Sequence, residues 1–336
     1  YFASRQLIFI SVGLLAMSIF LLLPSDFLFK SDWVFMLISI LLLIALFIPD
    51  IGTSVNGSIR WIRLGPINIQ PSEVCKFSLI LYISGYSVRR MSEINTLRSF
   101  LKPLFLLFII SLLIMGQPDL GSTAIICLLV VAILFYAGIS FFQFSLLSIL
   151  ISLLGYLAIS SSPMRLARVL AFTDPFAEDV VRNAGCQLSN SLISIGQGGW
   201  FGLGIGNSFQ KNFFLPEAHT DFIFAIIGEE LGFIAGSILM LVYYIIFYRA
   251  VQISKKSNDI FGIMLSIGFG LSITIYAFIN IGVVIGVIPV TGVPLPFISY
   301  GGSSLIINLM MIAILLNISK AQRKLNVKRW RLRVNA

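Results

Sequence analysis

The 336-residue sequence is 58% hydrophobic and only 11% charged, and its mean hydropathy of +0.99 lies far from the balance of a soluble globular domain. A formal charge of +9 would suit nucleic acid, but seven of the 23 basic residues crowd the tail from Lys320 to Arg333, directly after an apolar run. Such a cluster marks the cytoplasmic edge of a membrane helix, which excludes a nucleic-acid groove.

Apolar runs near 7–23, 33–49, 71–88, 103–116, 121–138, 141–160, 222–248, 260–288 and 303–318 predict nine membrane spans in an all-α, polytopic bundle. An odd number puts the termini on opposite sides. With the basic tail inside, Arg89, Arg90, Arg98, Lys102, Arg249, Lys255 and Lys256 also fall inside, as the positive-inside rule requires. Residue 1, loop 50–70, turn 116–120, loop 161–220 and segment 289–302 are then external. No repeat and no break between soluble domains is visible, so residues 1–336 read as one membrane domain with 161–220 as its large external loop. The chain starts at Tyr1 without a methionine, and its first apolar run is too long and too weakly flanked for a signal peptide, which reads as a truncated start. Three cysteines make no disulfide framework: Cys75 and Cys127 lie in apolar runs, and only Cys186 is loop-borne.

In chain order, the first external loop carries Arg60-Trp61-Ile62-Arg63 and then Gln70-Pro71-Ser72-Glu73-Val74-Cys75-Lys76. Pro71 suits the first turn of a helix, and Glu73 and Lys76, three apart, share one of its faces. A cap, an interfacial Trp and an intrahelical ion pair account for these residues; so does a charged wall of a cavity. The turn Gly116-Gln117-Pro118-Asp119-Leu120-Gly121 places Asp119 where a helix N-cap is expected. Loop 161–220 holds Arg165, Arg168, Glu178, Asp179 and the glycine-rich run from Gly196 to Gly206. That run lacks the Gly-Lys-Ser/Thr of a nucleotide loop and reads as a flexible or closely packed connection, with a backbone surface for sugar or pyrophosphate left open. Segment 289–302 is too apolar for a solvated loop, yet its prolines and glycines forbid a regular helix, so it is expected to line a cavity.

The stretch Phe213–Gly232 gathers the single histidine, His219, with Glu217, Asp221, Glu229 and Glu230. Asp221 falls where a proline-bearing polar loop turns into an apolar run, at a helix N-terminus near the membrane surface. Glu229 and Glu230 then lie roughly 12 to 14 Å down that helix at about 1.5 Å per residue, a depth at which acids are costly. Asp221 as a helix cap and Asp221 as a catalytic base both fit. Glu229 and Glu230 fit equally as structural partners of buried polar groups.

One histidine, no His-Glu-x-x-His and no Cys-x-x-Cys leave no strong transition-metal site, although carboxylates suit a hard cation such as Mg²⁺. No Gly-x-Ser-x-Gly elbow supports a serine hydrolase. Acids at the rim of an outward cavity with arginines in its loops suit a lipid-linked, phosphate-bearing substrate: cations take the phosphates and a carboxylate takes a proton from a sugar hydroxyl.

The blocks Arg60-Trp61-Ile62, Gln70-Pro71-Ser72-Glu73, Gln117-Pro118-Asp119-Leu120-Gly121, Leu215-Pro216-Glu217-Ala218-His219-Thr220-Asp221-Phe222, Gly228-Glu229-Glu230-Leu231-Gly232 and Ile298-Ser299-Tyr300-Gly301-Gly302-Ser303-Ser304 resemble the SEDS family (shape, elongation, division and sporulation) over nearly the whole chain. The Pro-Glu-Ala-His-Thr-Asp block looks more like the division branch than the elongation branch, where an arginine commonly replaces Ala218. The resemblance implies a ten-helix peptidoglycan glycosyltransferase that polymerises lipid II at the outer face of the cytoplasmic membrane, at the septum, beside a class B penicillin-binding transpeptidase and other division proteins. Nine spans with an external start match if the first helix has been lost. It further implies that Asp221 is the base for the acceptor sugar hydroxyl. Arg60, Lys76 and Arg168 become candidates for balancing pyrophosphate charge, alone or with Mg²⁺, and Glu73 and Asp119 for orienting them. Glu217, His219 and Ser299 become further substrate-side candidates. A lipid II transporter and a non-catalytic scaffold for the transpeptidase are the competing readings.

Overall fold

The computed structural model describes residues 2–55, 58–64, 67–177, 185–216 and 218–334, with backbone alone for 2, 3, 54, 55, 64, 67, 212, 213 and 322–334. Glu178, Asp179 and Glu217 lie outside the described residues.

Every predicted apolar run is a helix: α1 (Phe2–Leu22), α2 (Ser25–Ala45), α3 (Pro71–Arg89), α4 (Leu97–Met115), α5 (Leu120–Tyr136) and α6 (Phe141–Ser160). After the long loop come α10 (Ile223–Lys256), α11 (Ile260–Val284) and α12 (Gly302–Val334). The loop itself holds α7 (Pro163–Thr173), α8 (Cys186–Gly198) and α9 (Phe209–Phe213). Among the described residues, seven helices are long and apolar enough to cross a membrane by length and composition, and α5 is a shorter apolar helix. This is a multi-pass membrane protein; α3 and α5 are the two predicted spans outside the seven.

The loop 50–70 differs from the expected all-α architecture. It forms an antiparallel three-stranded sheet, β1 (Gly52–Val55), β2 (Ser58–Leu64) and β3 (Ile67–Ile69), in that order. Thr53 faces Trp61 and Ile62 faces Ile69, with a register shift between Thr53 and Ser54. Ile62 is buried while Ile59 and Arg63 are exposed, as alternation on a half-buried strand dictates.

The chain divides into two compact units. The first comprises Tyr1–Leu146, Phe247–Ser272 and Gly302–Ala336. Its central helix is α3, which packs against α2, α5, α12 and β2 and is buried over most of its length. Such a helix has little lipid-facing surface to keep apolar, so it carries Glu73, Lys76 and several serines inside. Phe77 stacks on Phe269 with ring centroids 5.4 Å apart and meets Phe20 edge-on. Asp32 of α2 is fully buried and pairs with Arg89 at 2.8 Å. Gly85 makes room for it, since a Cβ there would sit 2.0 Å from the Asp32 carboxylate. At the end of α1, Asn317 donates to the carbonyls of Leu21 (3.0 Å) and Leu23 (2.6 Å), serving carbonyls that a helix terminus leaves without intrahelical donors.

The second unit comprises Leu147–Ile246 and Ile273–Gly301. Ser191 of α8 donates to the Val284 carbonyl at 2.7 Å, where α11 ends. Beyond Gly286 (φ +73°) the chain to Gly301 is non-helical, as its prolines and glycines predict, and buried Tyr243 donates to the Pro296 carbonyl at 2.5 Å.

Candidate active site

In the first unit, β2 carries Arg60 to the turn before α5. Its guanidinium donates to the Pro118 carbonyl at 2.6 Å and lies 3.8 Å from Asp119. Asp119 also N-caps α5, accepting from the Ser122 amide (3.1 Å) and hydroxyl (2.8 Å), as its place in the turn predicts. Glu73 and Lys76 form a buried pair at 2.6 Å in the first turns of α3. Lys76 is only 1% exposed, and its ammonium is turned onto Glu73. Ser303 ties this end of α3 to the sheet, accepting from the Gln70 amide (2.9 Å) and donating to the Asn68 carbonyl (2.8 Å).

In the second unit, Asp221 is half-buried and lies in a turn, two residues ahead of the first helical residue, Ile223. Three consecutive carbonyls fix that turn. The Tyr300 amide donates to His219 O at 2.8 Å, the Ser299 hydroxyl to Thr220 O at 2.5 Å, and the Asn280 amide to Asp221 O at 2.7 Å. Asn280, 1% exposed, spends its second N–H on Val293 O, also at 2.7 Å. Both partners are carbonyls, which places the amide nitrogen on that side. Ser299 in turn accepts from the Leu295 amide at 2.7 Å. The irregular segment 293–300 thus holds the backbone from which the Asp221 carboxylate projects. Gly292 stands beside that carboxylate: a Cβ there would lie 3.5 Å from Oδ2, and its φ of +71° favours glycine. His219 is exposed, and Arg168 is exposed on α7.

Glu229 is fully buried and does structural work. It accepts from the Ser208 hydroxyl (2.6 Å) and the amides of Phe209 (2.9 Å) and Gln210 (3.3 Å), the unsatisfied donors at the start of α9. Glu230 lies 3.6 Å from Lys211. Just beyond, α10 is broken at Gly232 (φ +78°). The glycine-rich run closes over the break: Leu203 N and Gly204 N donate to the carbonyls of Glu229 (2.9 Å) and Glu230 (3.0 Å), and Phe233 N donates to Gly199 O (2.9 Å). The run is the closely packed connection of the two sequence readings.

No group of three or more His, Cys, Asp or Glu side chains comes together among the described residues.

A family model described as the FtsW/RodA/SpoVE cell cycle protein matches residues 1–324. The chain belongs to this family. A probable peptidoglycan glycosyltransferase FtsW of Taylorella equigenitalis is 41% identical over 327 residues, covering 96% of this chain and 89% of the relative. That of Saccharophagus degradans is 42% identical over 324 residues, 95% and 83% of the two chains. Among solved structures, a chain from a peptidoglycan synthase complex, in work on the structural coordination of polymerization and crosslinking, superposes with a TM-score of 0.80 at 26% identity. The match covers 96% of this chain and 90% of that one. RodA, the rod shape determining protein of Thermus thermophilus, gives 0.68 at 24% identity over 95% and 87%, a likeness of fold. Within this FtsW/RodA/SpoVE fold, the residues that sequence reasoning passed over are Asn280 and Ser208. Asn280 is a single amide inside a strongly apolar helix, and that isolation was the available signal, since buried amides need partners. Ser208 precedes too short a helix to leave a periodic trace.

Proposed function

We propose that the chain is a peptidoglycan glycosyltransferase that polymerises lipid II at the outer face of the cytoplasmic membrane, in septal wall synthesis, with its basic tail on the cytoplasmic side. The names of its relatives and their cover of nearly the whole chain support the activity. The observation that carries the assignment of the base is the Asp221 turn, pinned at three successive carbonyls. A general base has to be held at a defined position relative to the hydroxyl it deprotonates. Asp221 takes the proton from the acceptor sugar hydroxyl as that oxygen attacks the donor anomeric carbon, and the lipid pyrophosphate leaves. A pyrophosphate departs well once its charge is balanced, so no paired acid is required as in a glycosidase.

Arg60 and Arg168 are the proposed sources of that balance, with Asp119 holding Arg60 and with His219 and Glu217 on the substrate side. Ser299 acts through the backbone it anchors. Lys76, buried against Glu73, joins the charge balance only if it leaves that pair. The working assembly includes a class B penicillin-binding transpeptidase.

Asp221→Asn keeps size and removes basicity. General-base help is worth about 10²- to 10⁴-fold, so glycan formation from lipid II by purified protein in complex with the transpeptidase should nearly vanish, with expression and complex formation at parental levels. Near-parental polymer would remove Asp221 as the base. Absence of polymer from the parent itself, with lipid II crossing vesicle membranes, would favour the transporter.

A further inference from the structure

Between α2 and α4 the first unit has a groove of about 850 Å³, lined by Trp33, Leu37, Phe105 and Ile109 among other apolar side chains, with Arg98 and Lys102 at one end. Four residues apart, these two cations share one face of α4. Both are exposed, and no acidic residue is among those lining the groove. Asp32, next to Trp33, is buried and held by Arg89. From Arg98 to Ile109 at about 1.5 Å per residue the groove follows α4 for roughly 16 Å. That is about half the roughly 30 Å hydrocarbon core, the depth of one leaflet.

We infer that this groove is a binding site for an anionic phospholipid of the leaflet that faces Arg98 and Lys102, its phosphate on the two cations and an acyl chain along Leu37, Phe105 and Ile109. Lipid alone would cover any apolar face; the charge at one end selects among lipids. Basic pockets between membrane helices on the cytoplasmic side bind cardiolipin-type headgroups, and Trp33 at 58% exposure is the aromatic residue expected near headgroup level. The length of one leaflet fits a phospholipid chain and not a polyprenyl tail. None of these residues belongs to the Asp221 turn or to the Arg60–Asp119 group, so the inference does not rest on the catalytic reading.

Delipidated, detergent-solubilised protein titrated with cardiolipin, against phosphatidylcholine as the neutral control, tests it. Each basic residue near a membrane surface contributes about fivefold, so Arg98→Gln with Lys102→Gln should weaken cardiolipin binding roughly 30-fold. The charge-keeping pair Arg98→Lys with Lys102→Arg should retain it. Ile40 also lines the groove, and Ile40→Trp, which narrows it, should weaken binding with both cations in place. Should the Gln pair fail to fold, the Trp and charge-keeping variants carry the test. Unchanged cardiolipin affinity in the Gln pair or in Ile40→Trp, or phosphatidylcholine bound as tightly by the parent, overturns the proposal. Displacement of cardiolipin by lower concentrations of a lipid-linked pyrophosphate overturns it too, by giving the groove to substrate.

Discussion

Asn280 connects the Asp221 carbonyl to the Val293 carbonyl, and removing its amide takes the donor from both at once, one buried and one part-buried. Asn280→Leu should therefore lower the polymerisation rate about 10- to 100-fold, because a small misplacement of a reacting group is costly, while the dependence on lipid II concentration changes little. Loss of thermal stability with an unchanged rate would make Asn280 merely structural. The buried Glu73–Lys76 pair separates two meanings of one charge. Lys76→Met leaves Glu73 buried and unpaired, which costs about 3 to 5 kcal/mol, so it should destabilise whether or not Lys76 meets substrate. Glu73→Gln combined with Lys76→Met should recover thermal stability. Parental polymerisation by that double variant would confine Lys76 to the fold; a stable but inactive protein would return it to the charge balance.

At the scale of elements, the closure of Gly199–Gly204 over the broken α10 rests on two glycines that face each other. A Cβ on Gly202 (φ +79°) would meet Glu230 O at 2.2 Å, and one on Gly232 would meet Gly202 N at 2.4 Å. Gly206 (φ +86°) has open space around it. Gly206→Ala should thus cost only the left-handed backbone strain, about 1 to 2 kcal/mol, whereas Gly202→Ala and Gly232→Ala should lower the melting temperature much further or prevent folding. Equal effects of all three would show that the close approach carries no weight. The same elements show what a sequence discloses. Long apolar runs declare helices because lipid contact requires them, and the prolines of 289–301 declare an irregular segment. The strand Ser58–Leu64 also alternates, with Ile62 inward and Arg63 outward, but Gly57, Gly65 and Pro66 around it read as a loop. The partners of Glu229 lie about twenty residues away in sequence, beyond any local pattern. Its burial was legible, and its role as a cap was not. The acids at positions 73, 119 and 221 were legible as candidates, because charge is conspicuous in an apolar chain; the amide that anchors the Asp221 turn is not charged and was missed.

For the molecule as a whole, the proposed orientation rests on the basic residues, and the cysteines offer an independent test of it. Cys186 begins α8 and is partly exposed, whereas Cys75 and Cys127 are buried. A membrane-impermeant maleimide applied to the outer face of intact spheroplasts should label Cys186 alone. Labelling that requires access from the cytoplasm would reverse the proposed topology, and the proposed outward placement of Asp221 with it. The central position of α3 bears on how the chain reaches its membrane. A helix shielded on most sides by α2, α5 and α12 meets the insertion machinery after α2 but before α5 and α12 exist, carrying Glu73 and Lys76 in its first turns. As an isolated nascent segment it is a poor substrate for lateral release, since each charge opposes partitioning by up to about 3 kcal/mol at mid-membrane and less near the ends. The i,i+3 pairing of opposite charges is a neutralisation available before α5 and α12 arrive. The cost of releasing α3 alone is accordingly expected to favour its retention at the translocon until α5 and α12 have been synthesised.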